Sequence, residues 1–283
     1  MKIKIISDST CDLSKELVEK HGIRIAPLTI ARGDESLKDG VEITPADIFA
    51  YFDSGKGLCR TSAINAVEYK EIWDEELQNH DAIIHFIISA ELSLCMQNAI
   101  TAAADYDNVF LVDTRNLSTG IGHLAVDAAE MAAKGMEAKA IHEEILRRVP
   151  LLDVSFVIDT LTYLHKGGRC SGVQKFAAGV LSLKPCIGVK DGKMGPGKKY
   201  RGKLSKALKD YINDKLADKS TIDTRRLFIT HTLTGENLAL AEAVKAQVAE
   251  IIKFDEVYIT SAGSTVSCHC GPNTLGILFF RKG

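Results

Sequence analysis

The sequence predicts an α/β protein of two domains. The first, over residues 1–152, is a three-layer α/β/α unit with a mostly parallel sheet; the second, over 153–283, is an α/β domain with a mixed sheet. Three observations carry this. The chain has 283 residues, 46% of them hydrophobic, which is more than one typical domain holds and enough to fill two cores. Ile- and Val-rich runs alternate with amphipathic helical stretches through the first half, the βαβα rhythm of a parallel sheet covered on both faces. Pro150 closes a long helical stretch, and beyond it strands dominate, two of them joined across Asp191-Gly192-Lys193.

Taken in order, KIKIIS (2–7) is a first strand, followed too soon by Asp8 and Asp12 for the core of a secretion signal. A short helix spans 14–21, and IRIAPLTI (23–30) reads as a second strand. Thr44-Pro45-Ala46-Asp47 starts a helix: Thr44 caps, Pro45 fits the first helical position, and Asp47 completes a capping box. AIIHFIIS (82–89) is apolar throughout, as a strand covered on both faces should be. A helix over 93–104, a buried strand at 109–114 and helices over about 118–149 follow. The second half offers strands at 154–160, 186–190, 226–231, 256–261 and 275–280. Helices are expected at about 171–182, 203–217 and 236–252, with 186–201 folding as a hairpin.

Composition excludes several classes. There are 35 Lys and Arg against 37 Asp and Glu, for a net charge of −2, so no global basic surface advertises a nucleic-acid partner. The one basic stretch, 193–206, reads either as a solvated hairpin or as a partner or phosphate surface. No apolar run approaches the roughly 18–20 residues that span a bilayer. Seven irregularly spaced cysteines fit reduced thiols in a cytoplasm better than a disulfide framework.

Polar clusters at the ends of apolar runs are the candidate sites. Ser7-Asp8-Ser9-Thr10 follows the first strand, where α/β sheets place ligands, although Ser9 and Asp12 also suit helix capping. Thr61-Ser62 precedes a helix expected from near Ala63, so that one caps it and the other is free to face a ligand. Ser93 repeats this geometry after Ser89, with a helix expected from Ser93 or Leu94. His269 sits between Cys268 and Cys270. Neighbours on an extended chain point to opposite faces, and no second ligand cluster accompanies them, so no metal is expected. Ser93, His269 and an Asp suggest a hydrolase triad, yet no serine carries the G-x-S-x-G pattern. Gly167-Gly168-Arg169-Cys170-Ser171 lacks the phosphate-loop pattern and no dinucleotide fingerprint occurs, so no cofactor is expected. If Thr61, Ser62, Ser93 and His269 converge, they form a set of neutral donors suited to one carboxylate or phosphate.

In order and spacing these segments resemble the DegV family of bacterial fatty-acid-binding proteins. The resemblance runs through Asp8-Ser9-Thr10-Cys11-Asp12-Leu13, Pro27-Leu28, Thr61-Ser62, Leu92-Ser93 and Val112-Asp113-Thr114. It continues in LTYLHKGGRCS (161–171), Lys184-Pro185 and the stretch from His269 to Gly276. It implies a long-chain fatty acid buried between and within two α/β domains, its carboxylate on Thr61, Ser62, Ser93 and His269. It further implies an ATP-dependent fatty acid kinase as partner. That kinase phosphorylates the bound carboxylate to supply acyl phosphate for phospholipid synthesis, so this chain would carry lipid without catalysis of its own and without stable membrane insertion. Leu94 and Met96 are then candidates for the tunnel lining, and Arg169 for a phosphate or partner contact. One departure stands out: Leu94-Cys95-Met96-Gln97-Asn98-Ala99 occupies the place where the family often has Gly-Thr-Tyr-Gln-Ser-Ala. A C16–C18 tail of about 15 methylenes contributes roughly 12 kcal/mol before ordering costs, so the head group has to orient rather than anchor. Two rival readings are a hydrolase or transferase acting on a small anion, with Ser93 and His269 in chemical roles, and a DNA-binding regulator.

Overall fold

Ile3–Asp8 forms β1, in which the neighbours Ile5 and Ile6 are buried on opposite faces of a sheet, in a computed structural model that describes residues 1–170 and 183–283. The helix expected over 171–182 lies outside the described residues. Strand β1 is central to a four-stranded parallel sheet with β2 (Arg24–Ala26), β6 (Ala82–Ile87) and β7 (Val109–Asp113), in the order β2-β1-β6-β7. Every residue of β6 is buried. Strand β7 was expected to be buried but is half-buried, because it lies at the sheet edge.

The apolar run at 23–30 is not one strand. Pro27 has no amide proton to continue a ladder, and the Leu28 amide donates instead to Ser9 Oγ at 3.1 Å. The chain leaves the parallel sheet there. It resumes as β3 (Thr29–Arg32), which pairs antiparallel with β4 (Glu35–Lys38) and β5 (Arg60–Ser62) in a separate three-stranded sheet. Helix α1 (Lys15–His21) is capped by Ser14, and α2 (Pro45–Asp53) has the reciprocal Thr44–Asp47 capping box that its sequence predicts.

Helices α3 (Ala66–Leu77), α4 (Cys95–Ala103), α5 (Thr119–Ala133) and α6 (Ala138–Arg148) complete the first half. The next strands form a six-stranded sheet from β8 (Leu152–Val157), β9 (Leu183–Lys190), β10 (Lys193–Arg201), β11 (Ile222–His231), β12 (Glu256–Ser261) and β13 (Leu275–Arg281). Their order is β10-β9-β8-β13-β11-β12, with β11 and β12 alone in parallel among the described residues. The β9–β10 turn takes Asp191 and Gly192 to φ 52° and 82°, the pair of positive angles that a two-residue hairpin needs.

Helix α5 is the joint between the two large sheets. It touches β1 and β6 on one side and β8 and β13 on the other. His123, fully buried on α5, bonds the Leu278 carbonyl at 2.9 Å through Nε2, and its ring lies edge-on to Phe228 and Phe280. Asp127 on the same helix accepts from Arg226, Arg225 and Arg148 at 2.8–2.9 Å, an ion cluster that ties α5 and α6 to β11. Helices α8 (Leu204–Lys215) and α9 (Ala239–Ile251) contribute to a second core with the six-stranded sheet. Two short helices that the sequence pattern hid, α7 (Thr162–Gly167) and α10 (Ser264–Cys270), pack against each other, and α10 also meets α2, β3 and β5.

Asp12 links these parts. Its Oδ2 accepts from Ser118 Oγ at 2.5 Å and its Oδ1 from the Gly263 amide at 2.8 Å. Burial pushes its carboxyl up to about 7 against the pull of those two donors. A carboxyl raised on folding contributes stability that is complete below the unfolded value near 4 and is lost as pH rises through about 7. The wild type is therefore expected to lose stability relative to Asp12→Asn, by on the order of a few kcal/mol, as pH is raised across that window. Denaturant unfolding of both proteins at several pH values checks this; parallel stability curves would contradict it.

Candidate functional site

Three segments bring polar side chains to one cavity. Strand β5 supplies Thr61 and Ser62, the loop from β6 to α4 supplies Ser93, and α10 supplies Thr265 and His269. Seven residues are too few for α10 to stand alone, and its first amides are held from far away. Asp12 takes the Gly263 amide, and Asp39 takes those of Ser264 at 2.9 Å and Thr265 at 3.3 Å.

His269 Nε2 and Thr61 Oγ1 are 2.9 Å apart, so α10 and β5 meet across the cavity wall. The other ring nitrogen, Nδ1, is buried without a partner. Gly167 makes this fit possible: a Cβ there would stand 2.5 Å from Nδ1. Burial, with the nearby Arg169 charge, pushes the imidazole down to about 4, which leaves His269 neutral at physiological pH.

The loop that carries Ser93 is braced by Ser89. The Leu92 and Ser93 amides donate to the Ser89 carbonyl, and Ser89 Oγ donates to the Gly192 carbonyl at the hairpin tip at 2.8 Å. Ser93 Oγ donates to Cys95 Sγ at 3.2 Å and accepts the Cys95 amide at 3.3 Å.

The cavity is about 410 Å³, within the roughly 300–1,000 Å³ typical of small-molecule sites. Thr61, Ser62, Ser93, Thr265 and His269 are among its polar lining; Leu28, Ile88, Leu92, Leu117, Met194 and Val266 are among its apolar lining. Leu94, 70% exposed, and the exposed Arg169 also border it, so the cavity opens to solvent there. A narrow crevice of about 30 Å³ shares Leu117, Val266 and Cys270 with it and is lined further by Val154, Phe156 and Leu278.

All four residues expected to bind a head group border this cavity, but local structure differs from expectation. Thr61 and Ser62 cap nothing. They pair with Ile30 and Thr29 in β5, and α3 starts later behind an Asn65–Glu68 capping box. Ser93 is not the first helical residue either; Leu94 takes the N-cap position, and α4 begins at Cys95. Cys268, His269 and Cys270 lie on a helix, with Cys268 in a small core beside Ile30 and Cys270 in the main one. Among the described residues no group of three or more His, Cys, Asp or Glu is placed to hold a metal. Met96 packs against the main core and does not border the cavity. Arg169 Nη1 donates to the Gly167 carbonyl at 2.8 Å. The basic stretch forms β10 and the start of α8, where Lys193, Lys198 and Lys206 pair with Glu91, Asp214 and Asp210.

Thr265 was missed. Its Oγ1 is buried without a partner and it borders the cavity one helical turn before His269. The i, i+4 spacing is in the sequence, but it carries meaning only once 264–270 is known to be helical. Among the described residues Ser93 and His269 do not form a serine-hydrolase arrangement: the Ser93 hydroxyl bonds Cys95, and no carboxylate meets the second nitrogen of His269. Among the described residues no helix is long and apolar enough to cross a membrane.

A family model described as an uncharacterised protein of the DegV family matches residues 2–282. A DegV domain-containing protein of Caldanaerobacter subterraneus subsp. tengcongensis is 31% identical over 286 residues, 99% of each chain. One from Deinococcus radiodurans is 29% identical, covering 98% of each. Among solved structures, a DegV family protein from Thermus thermophilus, described by its fatty acid binding, is similar with a TM-score of 0.91, 28% identity and full coverage of both chains. A stearic acid-binding protein from Eubacterium ventriosum is similar with a TM-score of 0.83 and 25% identity, covering 99% of this chain and 98% of that one.

Gly167→Ala tests how the His269 ring is held. The added methyl displaces the ring from its buried position, so its titration should rise from about 4 toward the ordinary value of 6.5. Imidazole chemical shifts followed against pH report this; an unchanged midpoint would show that the ring does not depend on the close approach.

Proposed function

The chain belongs to the DegV family, and on that premise we propose that it binds a long-chain fatty acid, with the carboxylate on Thr61, Ser62, Ser93 and His269. The observation that carries this reading is the meeting of neutral donors from three segments in the lining of one cavity whose remaining lining is mostly apolar. The Thermus thermophilus and Eubacterium ventriosum proteins, both described by fatty acid binding, support it. The apolar wall and the crevice beyond Leu117 and Val266 suit an acyl tail. Burying the tail supplies the affinity, and the hydroxyls and neutral imidazole orient the head.

In this reading the bound carboxylate is presented to a partner ATP-dependent fatty acid kinase, and the acyl phosphate supplies phospholipid synthesis. The chain acts in the cytoplasm as the lipid-carrying subunit, without catalysis, metal or cofactor of its own. The cavity's opening beside Leu94 and Arg169 supports this, since a kinase needs access to the head group. Arg169 at that opening suits the charge of a phosphoryl group.

Thr61→Ala and Ser93→Ala should each weaken palmitate binding by about 0.5–1.5 kcal/mol, measured by calorimetric titration, with little change in melting temperature. His269→Ala should lower phosphorylation of the bound acid by the partner kinase more than it lowers binding. Equal losses in the two assays would contradict the presenting role of His269.

A further inference from the structure

Behind Ser93 lies a run of fully buried groups that head-group binding alone does not explain. Ser93 Oγ donates to Cys95 Sγ, and the Cys95 thiol in turn meets the Tyr69 hydroxyl. Tyr69 donates to Asp8 Oδ1 at 3.2 Å, and Asp8 Oδ2 accepts the Ile88 amide at 3.1 Å. Trp73 Nε1 donates to His85 Nδ1 at 2.9 Å, which leaves the imidazole proton on Nε2. That nitrogen stands 3.4 Å from Asp8 Oδ1, near enough for attraction but outside hydrogen-bond geometry.

Counting protons fixes the direction of the run. A hydroxyl or thiol has one proton to give. Tyr69 gives its proton to Asp8, so toward Cys95 it can only accept. Burial and the nearby Asp8 charge push the Cys95 thiol up to about 12, so it stays protonated. Toward Ser93, Cys95 then accepts. Ser93 donates to Cys95 and Tyr69 donates to Asp8, so the Ser93 proton points inward, away from the cavity.

We propose that Cys95 is a positioning residue that sets how readily Ser93 donates to a ligand carboxylate. The proposal rests on the fatty-acid reading of the cavity. Sulfur is a weak acceptor, whereas a carboxylate is a strong, charge-assisted one, so the Ser93 proton swings outward at little cost. An oxygen at position 95 would compete better, and the Tyr69–Asp8 pair behind it would reinforce the inward bond.

The test compares palmitate with 1-hexadecanol by calorimetric titration near neutral pH, using the full chain. An alcohol can donate its own proton to the Ser93 oxygen and does not need the swing. Cys95→Ser should weaken palmitate binding about three- to tenfold and hexadecanol binding by less than about twofold. In a Ser93→Ala background, Cys95→Ser should leave palmitate binding unchanged. Cys95→Ala, which removes the acceptor, should bind palmitate at least as tightly as wild type; if Cys95→Ser does not fold, a fall in the palmitate-to-hexadecanol ratio in Cys95→Ala overturns the proposal. Equal losses for both ligands in Cys95→Ser, or a palmitate loss that persists without Ser93, also overturn it. A wild type that binds neither ligand overturns the fatty-acid reading itself. A wild type that binds both, with a ratio unmoved by Cys95→Ser, overturns only the role of Cys95.

Discussion

The carboxyl end of β1 holds the candidate site from both sides. Backbone amides at the start of a short helix must find acceptors, and α10 finds its acceptors in Asp12 and Asp39. Asp39 is steadied by Ser9, whose hydroxyl donates to it at 2.8 Å while accepting the Leu28 amide. Four residues before Asp12, Asp8 supports the opposite wall: it accepts the Ile88 amide at the end of β6 and, through Tyr69, backs the Cys95–Ser93 pair. One segment, Asp8 to Asp12, thus fixes His269 on one side and Ser93 on the other. Neither wall has enough local structure to hold its own position.

The electrostatic character follows from the same arrangement. The carboxylates that shape the site face inward and are occupied by amides and hydroxyls. The side chains that line the cavity are hydroxyls, a neutral imidazole, the Asn98 amide, the Cys270 thiol and apolar groups, with Arg169 at the exposed margin. Such a wall grips a polar head weakly and specifically, while burial of an apolar body does most of the binding.

Much of the fold was legible because periodicity reports burial. The all-apolar run 82–89, the short helix expected at 14–21 and the capping signature at Thr44 translate directly into β6, α1 and α2. The failures share a cause: short elements held by distant partners. The stretch 23–30 breaks at Pro27 because Ser9 takes the next amide. Strand β5 has three residues and exists by pairing with β3, so Thr61-Ser62 read as a helix start. Helix α10 depends on acceptors 225 and 251 residues away in sequence, and without it neither the facing of His269 nor the role of Thr265 was visible. The four head-group residues were named from a resemblance in order and spacing; residue chemistry alone offered them only as capping groups or ligands. The hydrogen-bond run behind Ser93 had no local signature, because Asp8, Tyr69 and Cys95 come together only through the tertiary fold.

The central claim is that the cavity takes a long-chain fatty acid. Native mass spectrometry of the purified protein, followed by solvent extraction and identification of any bound molecule, tests it most directly. The account predicts one long-chain fatty acid per chain, or its stoichiometric uptake when palmitate or oleate is added. A mass equal to the bare chain, with no uptake of either acid, would contradict it.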